Sequence, residues 1–126
     1  MSRPLANKLY IREGYRIAIL NPPVGYNQLL GELPDNVTVA NSLEGEFDVI
    51  QFFVTKRKKL EEKLSGLSDA LRSRGLVWVT YPKGNQLDAD INRDSIVAYA
   101  ETIGLKAVAQ VSVDDIWSAL RFKVVG

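Results

Sequence analysis

The sequence FDVIQFFV at residues 47–54, followed by KRKKLEEKLSGLSDALRSR at 56–74 and LVWVTY at 76–81, decides the fold class. The first stretch is an almost continuous apolar run, as expected of a strand that is covered on both faces. The second stretch switches to helical spacing and places four leucines on one face: Leu60, Leu64, Leu67 and Leu71. Gly75 stands where a left-handed cap would end this helix. The pattern therefore predicts a strand, a helix over 56–74 and a second buried strand.

A second helix is predicted after the second buried strand. Asn92, with Ser95 three residues later, has the residue types of a helix start, and Gly104 is a typical stop. The helix would turn its apolar residues inward: Ile96, Tyr99, Ala100 and Ile103. Strands that alternate with helices form a parallel sheet with helices on its faces. We therefore predict an α/β fold, a three-layer sandwich with a reduced Rossmann-like mixed sheet.

Shorter elements flank this central segment. Those predicted before it are a helix at 4–10, a strand at 15–20, a helix at 26–33 that buries Leu29 and Leu30, and a strand at 37–40. After it, alternating residues at 106–113 and 118–125 predict a terminal antiparallel pair of strands. The expected strand order is 2-1-3-4-6-5, with strand 6 antiparallel, in a single domain over residues 1–126.

The composition excludes several kinds of chemistry. The 126 residues include no cysteine and no histidine, which removes thiolate metal sites, cysteine nucleophiles and every Ser-His-Asp arrangement. The net charge is +1, and the one dense basic run, Lys56–Lys59, is soon balanced by Glu61 and Glu62. We read this run as a solvated helix face rather than a nucleic-acid patch.

Hydropathy argues against membrane insertion. No apolar stretch approaches the ~20 residues of a membrane span, and residues 1–13 lack the apolar core of a signal peptide. We therefore expect a cytoplasmic protein with no membrane and no nucleic-acid partner.

The order of these elements resembles the fold of class I, S-adenosylmethionine-dependent methyltransferases. The resemblance is architectural and rests on the strands at 16–20, 47–50 and 76–79, the helices that end near Gly75 and Gly104, and the closing strand pair. It implies the scaffold of these enzymes and a cofactor-binding loop directly after the first strand.

The loop at that position is Leu20-Asn21-Pro22-Pro23-Val24-Gly25-Tyr26. It contains one glycine, and its two prolines have no N–H donor to offer a ligand. Such methyltransferases usually place an acidic residue after the second strand, where this chain has Asn41 and Ser42. These departures favour a scaffold that has lost the transfer reaction.

A closer resemblance is to a family of small bacterial proteins of unknown function. It rests on four segments: Gly14–Tyr26, Trp78–Lys83, Asp90–Asp94 and Trp117–Phe122. This resemblance implies the same fold and a bacterial setting, without a reaction.

Two short motifs have a catalytic and a structural interpretation. Asn21-Pro22-Pro23 resembles part of the Asn-Pro-Pro-aromatic motif that positions the target amine in amino-methyltransferases, but Val24 replaces the aromatic residue and the triplet follows the first strand. Asp114-Asp115 is either a carboxylate pair or a turn. Because prolines and aspartates are common turn residues, a structural turn is favoured at both places.

Open parallel sheets bind ligands beyond the carboxyl ends of their strands. The residues predicted to bind a ligand there are Asn21, Gly25, Tyr26, Thr55, Tyr81, Lys83, Arg93 and Arg121. Tyr26 and Tyr81 would supply aromatic walls, and the three cationic residues of this set would contact an anion. The rival interpretation is that these cations are ordinary solvated charges.

These observations predict no catalytic residue, no metal ligand and no cofactor. We expect a non-catalytic binding or interaction module whose partner is a small anionic ligand or another protein. The alternative is an enzyme that depends on S-adenosylmethionine or a nucleotide, with methyl transfer as its reaction. The proline-containing first loop favours the former, and the polar groups at the strand ends keep the latter open.

Overall fold

The computed structural model describes residues 5–125. Strands and helices alternate along most of the chain. In order, the elements are α1 (Leu5–Lys8), β1 (Arg16–Leu20), α2 (Tyr26–Leu30), β2 (Thr38–Ala40), β3 (Phe47–Phe53), α3 (Arg57–Asp69), β4 (Leu71–Pro82), a 3₁₀ helix (Lys83–Asp88), α4 (Arg93–Thr102), β5 (Leu105–Ser112) and β6 (Trp117–Val124).

The strands form one mixed sheet in the order β2-β1-β3-β4-β6-β5. β1 pairs in parallel with β2 and with β3, and β3 pairs in parallel with β4. β6 is antiparallel to both of its neighbours, β4 and β5. The predicted fold class, strand order and terminal antiparallel pair are therefore confirmed.

Helices cover both faces of this sheet. On one face, Leu64 of α3 and Ile96 of α4 belong to the same buried core as Ile50 of β3. On the other face, Leu30 of α2 shares a core with Val49, the neighbour of Ile50 in β3. Because successive residues of a strand point to opposite faces, β3 must be apolar at nearly every position, which explains its continuous apolar run.

The long helix is shorter than predicted. α3 ends at Asp69 rather than at Arg74. The amide of Phe47 donates to the carbonyl of Ala70 at 2.9 Å, and Leu71 pairs with Phe47 as the first residue of β4. The helical spacing of the leucines continues past the true end because Leu71 still packs against the same core. Pairing with β3 ends this helix.

Gly75 has a different role from the predicted left-handed cap. Arg74, with a φ of 67°, takes the left-handed conformation in the irregular segment where β4 shifts register against β3. A Cβ atom on Gly75 would lie 2.9 Å from the carbonyl oxygen of Arg72 and 3.1 Å from the Cβ of Leu71. Gly75 is therefore required by a close approach of the chain to itself.

The short helix α2 also differs from the prediction. It ends at Leu30, before Gly31, which has a φ of 77°. Tyr26 and Leu30, four residues apart, are the buried pair, whereas Leu29 is 44% exposed. The prediction that α2 buries Leu29 is wrong, because the face of this helix that meets the sheet is set by Tyr26.

The predicted start and stop of α4 are confirmed. The side-chain oxygen of Asn92 accepts from the amide of Ser95 at 2.9 Å, and the Ser95 hydroxyl accepts from the amide of Asn92 at 3.0 Å. This reciprocal capping box satisfies two amides that the helix leaves free. Gly104, with a φ of 82°, follows the last turn.

The first predicted helix, 4–10, is observed over a shorter range as α1, which ends at Lys8, and its Pro4 lies outside the described residues. Leu9 just after α1 is fully buried, and its carbonyl accepts from the indole Nε1 of Trp78 at 2.9 Å. This bond fixes the N-terminal segment to the middle of the sheet.

Candidate functional site

Three parallel neighbours, β1, β3 and β4, end at one edge of the sheet, which we call the carboxyl edge. β6 begins and β5 ends at this edge, because β6 is antiparallel to both β4 and β5. Two cavities lie along it, one at the ends of β1 and β3 and the other beside β4, β5 and β6. Within the part of the chain that the structure describes, they have no lining residue in common.

The first cavity, the strand-end cleft, has a volume of about 440 Å³. Leu20 at the end of β1, Phe52 in β3 and Leu67 in α3 give it apolar walls. Leu43, from the connection between β2 and β3, lines it as well. Its size and its apolar lining are those of a small-molecule pocket.

Polar side chains lie at the rim of the strand-end cleft. Asn21 and Thr55, both predicted site residues, come directly after β1 and shortly after β3. Lys59 and Lys63, one turn apart on α3, line the cleft as exposed side chains, and neither forms an ion pair with any residue in 5–125. Sequence reasoning did not predict these lysines as site residues, and it assigned Lys59 to a solvated helix face, because helical spacing does not say which charged residues border a cavity.

Asn21 ties the two strand ends of the cleft together. Its side-chain Nδ2 donates to the carbonyl oxygen of Phe53 at 3.2 Å. Its φ of 58° is left-handed, a conformation that asparagine tolerates better than most residues. The loop after β1 therefore leaves the sheet through a sharp, internally fixed turn, in agreement with the predicted role of Asn21-Pro22-Pro23.

The N-terminus of α3, beside the cleft, is closed by the chain itself. The carboxylate of Asp90 accepts from the amide of Arg57 at 2.6 Å, and the Lys56 ammonium donates to the carbonyl of Asp88. α3 has no acidic residue in its first turn, so Asp90 supplies the negative charge that a helix N-terminus favours. The first amide of this helix is therefore already bound by a residue of the chain itself.

The second cavity, the cationic hollow, has a volume of about 490 Å³. Three of the predicted residues, Tyr81, Lys83 and Arg93, line it, together with Gln110 of β5 and Ser118 of β6. The structure thus brings these three residues together, but apart from Asn21 and Thr55. Gln110 and Ser118 come from the terminal strand pair, in which sequence reasoning had predicted Arg121 as a site residue but neither of these two.

Gly25 and Tyr26 lie beside neither cavity. Gly25, with a φ of 84°, precedes α2 and borders a shallow hollow with Pro22 and Pro23. The hydroxyl of Tyr26, a buried residue, donates to the Oε1 of Gln51 at 2.6 Å. Burial raises the pKa of this phenol well above its usual range, against a smaller lowering effect of the Gln51 hydrogen bond. Tyr26 is therefore part of the buried core and does not form the aromatic wall of an open ligand site.

Arg121 is not brought to the carboxyl edge. It lies within β6 and pairs with Trp78 of β4, away from the end of β6 that reaches the carboxyl edge. Its guanidinium carbon is 4.4 Å from the centre of the Tyr10 ring and 6.0 Å from that of Trp78. These aromatic faces attract the cation, so Arg121 joins the segment after α1 to the sheet.

Asp114 forms a turn, as the structural interpretation expects. Its Oδ1 accepts from the amides of Ile116 and Trp117, both at 2.8 Å. Among residues 5–125, no three acidic side chains come close enough together to hold a metal ion. No helix within that range has the length and apolar character needed to cross a membrane.

Comparison with known proteins gives similarity of structure only. No family model matches the sequence, and no curated protein matches it significantly. The structure of DhpI in complex with SAH superposes with a TM-score of 0.65, covering 97% of this chain and 82% of that one at 13% identity. The precorrin-6y C5,15-methyltransferase of Geobacter metallireducens gives a TM-score of 0.64 at 13% identity, covering 94% and 83% of the two chains.

A third similar structure, a TehB-like SAM-dependent methyltransferase from Corynebacterium glutamicum, has a TM-score of 0.59 at 16% identity and covers 89% of this chain and 81% of its own. At these identities the similarity establishes a common fold, and it leaves the activity to be argued from the site.

Proposed function

We propose that this chain, whose fold is that of class I S-adenosylmethionine-dependent methyltransferases, binds S-adenosylmethionine in the strand-end cleft and transfers its methyl group. The observation that carries the proposal is the position of the cleft. It lies at the carboxyl ends of β1 and β3, neighbouring parallel strands in a sheet of methyltransferase-like order. Ligands of open α/β sheets bind at such strand ends.

The residues of the cleft fit a nucleoside in size and polarity. The apolar side chains of Leu20, Leu43 and Phe52 would contact the base, and the polar side chains of Asn21 and Thr55 would be within reach of the sugar. The cofactor would supply an electrophilic methyl group when bound. The chain would bind it, orient it and keep water from its apolar part.

A second function is favoured by two features, one in the cleft and one beside it. Lys59 and Lys63 add positive charge at the rim, which suits a net anionic nucleotide better than S-adenosylmethionine, whose sulfonium is positive. Pro22 and Pro23, in the loop after β1, remove N–H donors that a bound S-adenosylmethionine would use. Under this alternative the chain is a non-catalytic nucleotide-binding module.

Calorimetric titration with S-adenosylmethionine, S-adenosylhomocysteine and ADP distinguishes these functions. Leu43→Trp fills the cleft, and Leu29→Trp is the matched control, because Leu29 is an exposed leucine that lines a different hollow. We expect saturable binding of the first two ligands that Leu43→Trp abolishes and Leu29→Trp preserves.

A ligand at 100 times its dissociation constant should also stabilise the fold by about 2.7 kcal/mol. Binding of ADP alone would support the second function. If none of the three ligands binds, or if both variants bind like the unmodified chain, the cleft is not a nucleoside site.

A further inference from the structure

We propose that the cationic hollow is a second binding site, which holds the carboxylate or phosphate group of a small molecule between Arg93 and Lys83. Among the residues that the structure describes, those lining it include these two cations and no acidic side chain. The proposal is independent of the function proposed for the strand-end cleft, because the two cavities share no residue.

Arg93 is held in place by a neutral hydrogen-bond network. Its Nε donates to the Oε1 of Gln110 at 3.1 Å. The Nε2 of Gln110 donates to the hydroxyl oxygens of Tyr81 and Ser118, each at 3.0 Å. Tyr81 and Ser118 are both buried, so their positions are fixed by the sheet. The network orients the guanidinium before any ligand arrives, which lowers the entropic cost of binding.

The charge of Arg93 is weakly compensated. Its Nη1 lies 3.6 Å from the Oδ1 of Asp94, whose side chain is 94% exposed. A surface pair at this distance contributes little, because water screens it. Since the Nε donor is the one used by Gln110, the paired terminal donors remain for a planar anion.

Lys83 is oriented by neutral oxygens. Its Nζ donates to the hydroxyl of Ser112 and to the carbonyl of Asp114, both at 2.7 Å. An ammonium group has three donors, so one is left after these two contacts. The carboxylate Oδ1 of Asp114 is engaged by two backbone amides instead. The hollow is therefore lined by two cationic residues whose charged groups are held by neutral hydrogen-bond partners, a combination suited to an anion.

Phenyl phosphate and benzoate are suitable probes, with benzyl alcohol as the neutral analogue. Binding would be followed by amide chemical shifts of the full chain. We expect both anions, or phenyl phosphate alone, to shift the amides of Gly84 and Arg93, and the alcohol to leave them unchanged. A response to phenyl phosphate alone assigns the site to phosphates, and a response to both assigns it to anions generally.

Three variants test the residues. Arg93→Gln and Lys83→Gln should each weaken binding roughly tenfold or more, because each removes a charge-assisted contact. Gln110→Glu keeps an acceptor for Arg93 but places a negative charge in the hollow, and it should abolish binding. Lys106→Gln, which removes an exposed cation of β5 that does not line the hollow, is the matched control and should bind like the unmodified chain.

Three results would overturn the proposal. The first is that neither anion shifts these amides. The second is that benzyl alcohol shifts them as strongly as the anions do. The third is that Arg93→Gln, Lys83→Gln and Gln110→Glu all bind the anions with the affinity of Lys106→Gln. The anions would then bind only adventitiously, without using the residues of the hollow.

Discussion

At the scale of single residues, the buried side chains of Tyr26, Gln51 and Thr80 form one chain of hydrogen bonds. Tyr26 donates to the Oε1 of Gln51 at 2.6 Å, and the Nε2 of Gln51 donates to the Oγ1 of Thr80 at 3.1 Å. Within the described residues, Gln51 and Thr80 are the buried polar residues of the two central strands β3 and β4. A buried polar group is tolerated when it is hydrogen-bonded, so each of the three depends on the others.

Tyr26→Phe should therefore destabilise the protein by about 1–3 kcal/mol, because the buried Oε1 of Gln51 loses its donor. Urea unfolding measures the change. Tyr99→Phe is the matched control: its hydroxyl donates to the Glu61 carbonyl at 3.0 Å on the exposed side of α3, where water can replace it. An equal loss in the two variants would contradict the importance of burial.

The raised pKa of Tyr26 leads us to expect that the folded protein loses stability at alkaline pH. Burial raises the pKa of folded Tyr26 above its ordinary value of 10.0. Above pH 10 the unfolded chain releases this proton while the folded chain keeps it, so the free energy of unfolding should fall as pH rises. The slope for one proton is at most about 1.4 kcal/mol per pH unit.

This alkaline dependence should be seen in the difference between the unmodified chain and Tyr26→Phe, measured by urea unfolding from pH 8 to 11. The difference should be constant below about pH 9 and shrink above pH 10, the ordinary tyrosine value. A difference that stays constant over the whole range would show that Tyr26 ionises alike in the folded and unfolded states.

At the scale of elements, the turn from α3 into β4 shows where sequence periodicity stops being informative. Leu60, Leu64, Leu67 and Leu71 keep helical spacing, yet the last of them begins a strand. Leu71 pairs with Phe47, a residue far from it in the sequence, so a local sequence pattern cannot show that this pairing is favourable. By contrast, the Asn92 capping box depends on residues three apart, so the start of α4 could be predicted.

Gly75→Ala should destabilise the protein by about 1–3 kcal/mol, because the new methyl group would meet the Arg72 carbonyl oxygen at 2.9 Å. Gly66→Ala is the matched control. Gly66 lies inside α3 with open space around it, so alanine there should stabilise the helix by roughly 0.5–1 kcal/mol. Thermal and urea unfolding of the two variants should therefore move in opposite directions, and a shift of the same sign would contradict the close approach at Gly75.

The capping of α3 by a distant residue gives another prediction at this scale. Asp90→Ala should cost about 0.5–2 kcal/mol, because the amide of Arg57 loses its acceptor and the helix N-terminus loses its negative charge. Asp69→Ala removes the same charge from the other end of α3, where an acid is unfavourable, and should be neutral or slightly stabilising. Equal destabilisation would assign the effect to net charge instead of capping.

At the scale of the whole molecule, the sequence predicts the sheet better than the site. Alternation and helical spacing identify which segments are buried, and the connection rules for parallel strands then leave few possible strand orders. Asn21, Thr55 and Lys83 were predicted because they follow strand ends, and the structure places each of them beside a cavity of the carboxyl edge. Arg121 was predicted as an anion contact from its charge, but its aromatic neighbours Tyr10 and Trp78, which come from distant parts of the chain, could not be predicted from any local pattern.

The sheet order also predicts how stability is distributed through the molecule. β3 has a strand on each side and a core on each face, whereas β2 is an edge strand of three residues whose Val39 is 50% exposed. Segments with few buried contacts open at low free energy, and central strands open only with global unfolding.

Native-state hydrogen exchange should therefore show the slowest amides in β3 and in the residues of β4 that pair with it, at 76–80. Amides of β2 should exchange by local opening, faster than those of β3 by several orders of magnitude. Low concentrations of urea should accelerate the exchange of β3 amides and leave the exchange of β2 amides almost unchanged, because opening an edge strand exposes little surface. If β2 were as protected as β3, something beyond the paired strand β1 would have to cover that edge in solution.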